Sequence, residues 1–124
     1  MEFQEQQGIY QQIANHLCEE ILLEKWQAGF RVPSVREFAA QVSVNPNTVQ
    51  RAYTQLEELG VLYNRRGIGF FVQENARHRI LEWKRRDFLA RDLPELFRKM
   101  DLLQISLDQL REHFEIYRKA SSPR

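Results

Sequence analysis

The stretch Pro33 to Gln73, PSVREFAAQVSVNPNTVQRAYTQLEELGVLYNRRGIGFFVQ, constrains the fold most, because it places two helix starts and a hairpin in close succession. Ser34-Val35-Arg36-Glu37 is a capping box: the serine hydroxyl accepts from the backbone N–H three residues on, and Glu37 reaches back to the serine N–H. A helix is predicted from there to about Gln41–Ser43, with Val35, Phe38, Ala39 and Val42 as its apolar face. Asn45-Pro46-Asn47-Thr48 is a second start, since asparagine is a favoured N-cap and proline at the first helical position gives up no hydrogen bond. That helix is predicted to turn Val49, Ala52, Tyr53, Leu56 and Leu59 inward and to stop at Gly60. The β-rich runs Val61–Asn64 and Phe70–Gln73 then flank Arg65-Arg66-Gly67-Ile68-Gly69, which reads as a hairpin with a cationic tip. Two short capped helices, a tight turn between them and a hairpin make up a winged helix-turn-helix.

The flanking segments are helical. Ile9, Ile13, Leu17 and Ile21, with Tyr10, Ala14 and Cys18 beside them, form one stripe from Ile9 to about Glu24, and Gly29 and Pro33 close that segment. After a boundary at Asn75-Ala76, residues 77–91 read as a helix carrying six cations against two acids, interrupted at Asp92-Leu93-Pro94. From Leu93 the apolar residues continue through Leu96, Met100, Leu103, Leu107, Leu110, Phe114 and Tyr117. Their intervals alternate between three and four, so a single last helix with an uninterrupted heptad seam is expected. Each such side chain gains about 1.5–3 kcal/mol on burial, so the seam requires a cover. A second copy of the chain is one cover and the helix of residues 77–91 is another. The expected fold is mainly α with a small β-hairpin: a winged helix-turn-helix over residues 1–75, then a two-helix dimerisation segment over 76–124. The tail Ser121-Ser122-Pro123-Arg124 is expected to be disordered.

Composition narrows the function. At 124 residues the chain has room for one domain and a small appendage, and no apolar run approaches the roughly 20 residues that span a bilayer. The first residues, MEFQEQQGIYQQ, are polar and acidic and do not resemble a signal peptide, so a cytoplasmic location without membrane contact is expected. Cys18 stands alone and His16, His78 and His113 are scattered, which leaves no disulfide and no zinc-type spacing; no metal or cofactor is expected. A nucleophile-and-base pair or a phosphate loop is equally absent from the sequence, and Gly67-Ile68-Gly69 is too short for a nucleotide motif, so an enzyme is not expected. The net charge is +1, with six Lys/Arg against nine Asp/Glu in residues 1–75 and twelve against eight in 76–124. A DNA-facing surface must therefore rest on a few placed cations.

In a helix-turn-helix the second helix enters the major groove by its N-terminal part. There Asn47, Gln50 and Arg51 carry the amide and guanidinium groups that pair with adenine and guanine edges, and Thr48 suits a hydrogen bond or a thymine methyl. Arg36, Asn45 and Thr48 suit phosphates, helped by backbone N–H groups at the two helix starts. Arg65 and Arg66 suit a narrowed minor groove. Spacing does not fix which of these read bases. A protein-interaction module that uses the winged helix only as a scaffold is the alternative.

The segment AGFRVPSVREFAAQVSVNPNTVQRAYTQLEELGVLYNRRGIGFFV resembles the DNA-binding domain of GntR-family bacterial transcription regulators over about residues 9–73. That resemblance implies operator contacts from Arg36, Asn45, Asn47, Thr48, Gln50 or Arg51, Arg66 and Gly67. Many members carry arginine where this chain has Pro46, and often another where it has Gln50, so the usual operator preference is not carried over. The short helical appendage is similar to the YtrA subfamily. It implies a homodimer on a palindromic double-stranded operator, acting commonly as a repressor and often on transporter operons. No motif in the appendage names an effector.

Overall fold

The computed structural model describes residues 8–122, which fall into two compact units divided after Trp83. Pro123 and Arg124 of the expected tail lie outside the described residues; Ser121 closes the last helix. In the first unit α1 (Ile9–Leu22) buries Ile13, Ala14, Leu17, Cys18 and Ile21, as the stripe requires. The helix α2 (Val35–Val42) begins on the capping box: the Glu37 N–H donates to Ser34 Oγ at 3.1 Å and the Ser34 N–H to Glu37 Oε1 at 3.3 Å. It ends at Ser43, which adopts the left-handed region. The helix α3 (Pro46–Glu58) starts on Asn45, whose Oδ1 accepts from the Asn47 N–H at 2.8 Å. Val49, Ala52, Tyr53 and Leu56 are fully buried, and with α1 and α2 they form the core.

The hairpin pairs β1 (Leu62–Arg65) with β2 (Gly69–Val72) antiparallel, Tyr63 opposite Phe71 and Arg65 opposite Gly69. Arg65 is thus the last residue of β1, not part of the expected five-residue tip, which shrinks to Arg66-Gly67-Ile68. The sheet also gains an edge that periodicity does not reveal. Residues 29–32 run along β2: Gly29 N–H donates to Val72 O at 2.9 Å, Val72 N–H to Phe30 O at 3.0 Å and Val32 N–H to Phe70 O at 3.0 Å. Arg31 bridges Phe71 at its centre.

Beyond the hairpin, α4 (Ala76–Asp87) starts where the sequence places the boundary, yet Ala76 and Ile80 are buried in the winged-helix core and Trp83 packs against it. The first unit therefore continues past residue 75, through Trp83. In the second unit Asp92-Leu93-Pro94 does not end the helical path as expected. Phe88–Asp92 forms a π-helical turn in which the Leu93 N–H reaches back five residues to Phe88 O, and α5 (Leu93–Leu103) follows directly. Proline has no N–H to give to the carbonyl four residues back, and the wider turn accommodates that loss.

The single last helix is also corrected. Gln104 adopts the left-handed region at φ 56°, and the Ile105 N–H closes onto Met100 O at 2.9 Å, which ends α5. A second capping box, Ser106 with Gln109, then starts α6 (Leu107–Ser121). The heptad count runs on across a chain that turns, because Leu103 and Leu107 lie on either side of a three-residue break.

Candidate nucleic-acid interface

The polar face of α3 is the centre of the site. Asn47, Gln50, Arg51 and Thr54 lie on it, and with Tyr10, Gln55 and Glu58 they line an open cleft of about 550 Å³ between α3 and the start of α1. Helical spacing explains the grouping, since residues 47, 50, 51 and 54 fall on one side of a helix whose other side is the buried set Val49, Ala52, Tyr53 and Leu56. Gln50 Nε2 donates to Thr54 Oγ1 at 3.2 Å. That bond uses one amide hydrogen and leaves the Oε1 of Gln50 as an acceptor.

Arg51 is held from another helix: its Cζ sits 3.9 Å from the centroid of the Tyr10 ring. A stacked guanidinium keeps its in-plane N–H groups free, which is the arrangement for bidentate pairing with a base edge or phosphate. Tyr10 is a site residue that the sequence reading placed beside the core stripe of α1; helical periodicity gives its angle on α1 but not its neighbour on α3. Thr54 was missed likewise, although it stands one turn beyond Gln50.

Asn45 has a divided role, because its side-chain oxygen is engaged as the cap of α3 while its NH₂ remains to donate to a ligand. Arg36 and Thr48 stand exposed or nearly so at the starts of α2 and α3, where N-terminal N–H groups add positive potential. The two helices are tied together from beneath: the fully buried Tyr53 donates its hydroxyl to Pro33 O at 2.6 Å, just ahead of α2. Burial and then the nearby Glu37 carboxylate push the Tyr53 phenol well above its ordinary ionisation range. In the wing, Gly67 takes φ +77° at the tip, which a residue with a Cβ adopts only with strain. Arg65 lies over Phe71 with its Cζ 5.6 Å from the ring centroid, and Phe71 stacks on Tyr63. Arg66 projects from the tip itself. The structure thus gathers Asn47, Gln50 and Arg51 in one cleft and places Arg36, Asn45 and Thr48 at helix starts and Arg65, Arg66 and Gly67 on the wing.

Among the described residues no group of histidine, cysteine and carboxylate side chains is arranged to hold a metal ion, and no helix is long and apolar enough to cross a membrane. A family model described as "Bacterial regulatory proteins, gntR family" matches residues 9–72, from the start of α1 to the end of β2. YhcF of Bacillus subtilis, an HTH-type transcriptional regulator, is 36% identical over 117 residues, 94% of either chain. The HTH-type transcriptional repressor YtrA of the same organism is 35% identical over 104 residues, covering 84% of this chain and 79% of YtrA. The structure of a GntR-family transcriptional regulator from Listeria monocytogenes superposes with a TM-score of 0.75 at 33% identity, over 91% of this chain and 97% of that one. A winged helix with a polar recognition face, matched in sequence and in fold to proteins of this kind, places the chain in the gntR family of bacterial regulatory proteins as a DNA-binding transcriptional regulator and not an enzyme.

Proposed function

We propose that the protein is a homodimeric repressor that binds a palindromic operator, with α3 of each chain in one major groove and the segment beyond Trp83 joining the chains. The apolar surface of the second unit carries this reading. Of fourteen large apolar side chains left exposed among the described residues, ten fall between Phe88 and Tyr117. Leu103, Leu107, Phe114 and Tyr117 of the heptad seam are each more than half exposed, Leu96 and Leu110 are half-buried, and Met100 alone is covered. Leu102, Ile105 and Ile116 add further exposed apolar surface to the same unit. Leaving so many side chains in water forgoes about 1.5–3 kcal/mol for each, and a second copy offers an equal apolar face.

DNA readout follows from the cleft: Asn47, Gln50 and Arg51 meet base edges, Arg36, Asn45 and Thr48 hold phosphates, and Arg65, Arg66 and Gly67 enter the minor groove. The repressor assignment rests on similarity to YtrA, described as a transcriptional repressor. A cytoplasmic location follows from the regulator family, and control of a transporter operon is what the YtrA-like appendage implies. Sedimentation equilibrium at micromolar concentration tests the assembly: the wild type is expected as a dimer and Leu107→Asp with Phe114→Asp as a monomer with an intact winged helix. A monomeric wild type would remove the dimer, and a dimer unaffected by both substitutions would move its interface elsewhere.

A further inference from the structure

Arg31 has no role in the core, yet the fold holds it at the wing. Its backbone bridges Phe71, and Phe71 in turn opposes Tyr63. Directly opposed residues share a sheet face, and alternation puts Arg65 and Gly69 on that face as well. The opposite face is the buried one, formed by Val32, Leu62 and Val72. Arg31 therefore stands on the outer face with the stacked Tyr63 and Phe71 rings and with Arg65. Its side chain runs toward the tip: Nε lies 3.1 Å and Nη2 3.6 Å from the point where a Cβ on Gly69 would sit. Gly69 is bare there and takes φ +142°, so the guanidinium rests against the backbone of the first residue of β2. Among the described residues none of Arg31, Arg65 and Arg66 is joined to a carboxylate by an ion pair or hydrogen bond. Three like charges gathered around one small sheet without a counter-ion repel one another, and a polyanion relieves that repulsion.

We propose that Arg31 belongs to the DNA-binding surface, as a third wing guanidinium that contacts a backbone phosphate beside the groove the wing enters. The proposal rests on the reading of the wing as a DNA contact. A phosphate contact acts through charge, so it lowers affinity for every sequence alike when removed and reduces the salt dependence of binding. Binding of a mixed-sequence DNA duplex is measured by fluorescence anisotropy across a salt series for the wild type, Arg31→Ala, Arg31→Lys and Arg66→Ala. The slope of log affinity against log salt is expected to fall by about one per bound chain in Arg31→Ala and in Arg66→Ala, and to survive in Arg31→Lys. The affinity of Arg31→Ala at fixed salt is expected to drop on the order of tenfold. A slope unchanged in Arg31→Ala but reduced in Arg66→Ala overturns the proposal and leaves the wing reading standing; so does a loss of affinity in Arg31→Ala without a change of slope. Slopes unchanged in both variants would remove the wing from the DNA surface and Arg31 with it.

Discussion

Tyr53 shows how one side chain ties the reading helix to its support. Its ring fills the core between α2 and β2, edge-on to Phe70 at 5.1 Å between centroids, and its hydroxyl fixes the loop ahead of α2 through Pro33 O. The phenol is held neutral by burial and by Glu37, so it ionises at higher pH in the folded chain than in the unfolded one. A raised ionisation means that the stabilising contribution is complete below the unfolded value, roughly pH 10, and is lost as the pH climbs beyond it. Urea midpoints are therefore expected to hold between neutrality and pH 9 and to fall above about pH 10. Tyr53→Phe should lower stability at neutral pH by about 1 kcal/mol, by removing the hydroxyl's bond, and should flatten the alkaline fall. An alkaline fall of the same steepness in Tyr53→Phe would assign it to other groups. At this scale the sequence shows chemistry but not company. The amides of Asn47 and Gln50 and the guanidinium of Arg51 were legible as candidates for base contacts; the Tyr10 ring beneath Arg51 and the approach of Arg31 to Gly69 were not, because residues far apart in the chain meet only through tertiary packing.

Among the elements, those with local punctuation were legible. Ser34 with Glu37 marked the start of α2 and Asn45-Pro46 that of α3, and both caps form as their spacing requires. Ser34→Ala is expected to cost about 1 kcal/mol of unfolding free energy, since it leaves an N-terminal N–H of α2 without its partner; a midpoint equal to wild type would show that solvent replaces the cap fully. The last helix misled for a physical reason. Heptad spacing persists through Leu103 and Leu107, and glutamine is not a residue that punctuates helices, so the left-handed Gln104 leaves no mark in the pattern. The signal lay in Ser106-Leu107-Asp108-Gln109, a second capping box of the same kind as the first. Pro94 misled in the opposite sense, because a π turn carries the helix past a proline that an α-helix would not admit. The third sheet edge at residues 29–32 had no signal either: four residues with Gly29 at their head and Pro33 after them read as a connection.

For the whole molecule, a compact winged helix that closes its own core stands in contrast to a second unit that leaves its apolar side chains in water. The winged helix ends at Trp83 because Ala76 and Ile80 complete that core, so α4 begins as part of the DNA-binding unit and ends outside it. The seam residues Leu103, Leu107, Phe114 and Tyr117 stay more than half exposed in the chain's own fold, and the proposed pairing of two chains would cover them. One winged helix reads a half-site; two related by a twofold axis require two half-sites in inverted order. Selection of bound sequences from random duplex DNA by the intact protein tests this most directly. The expected result is enrichment of an inverted repeat whose halves lie about one helical turn apart or a multiple of it. Enrichment of a single unrepeated site, or of no sequence at all, would contradict it.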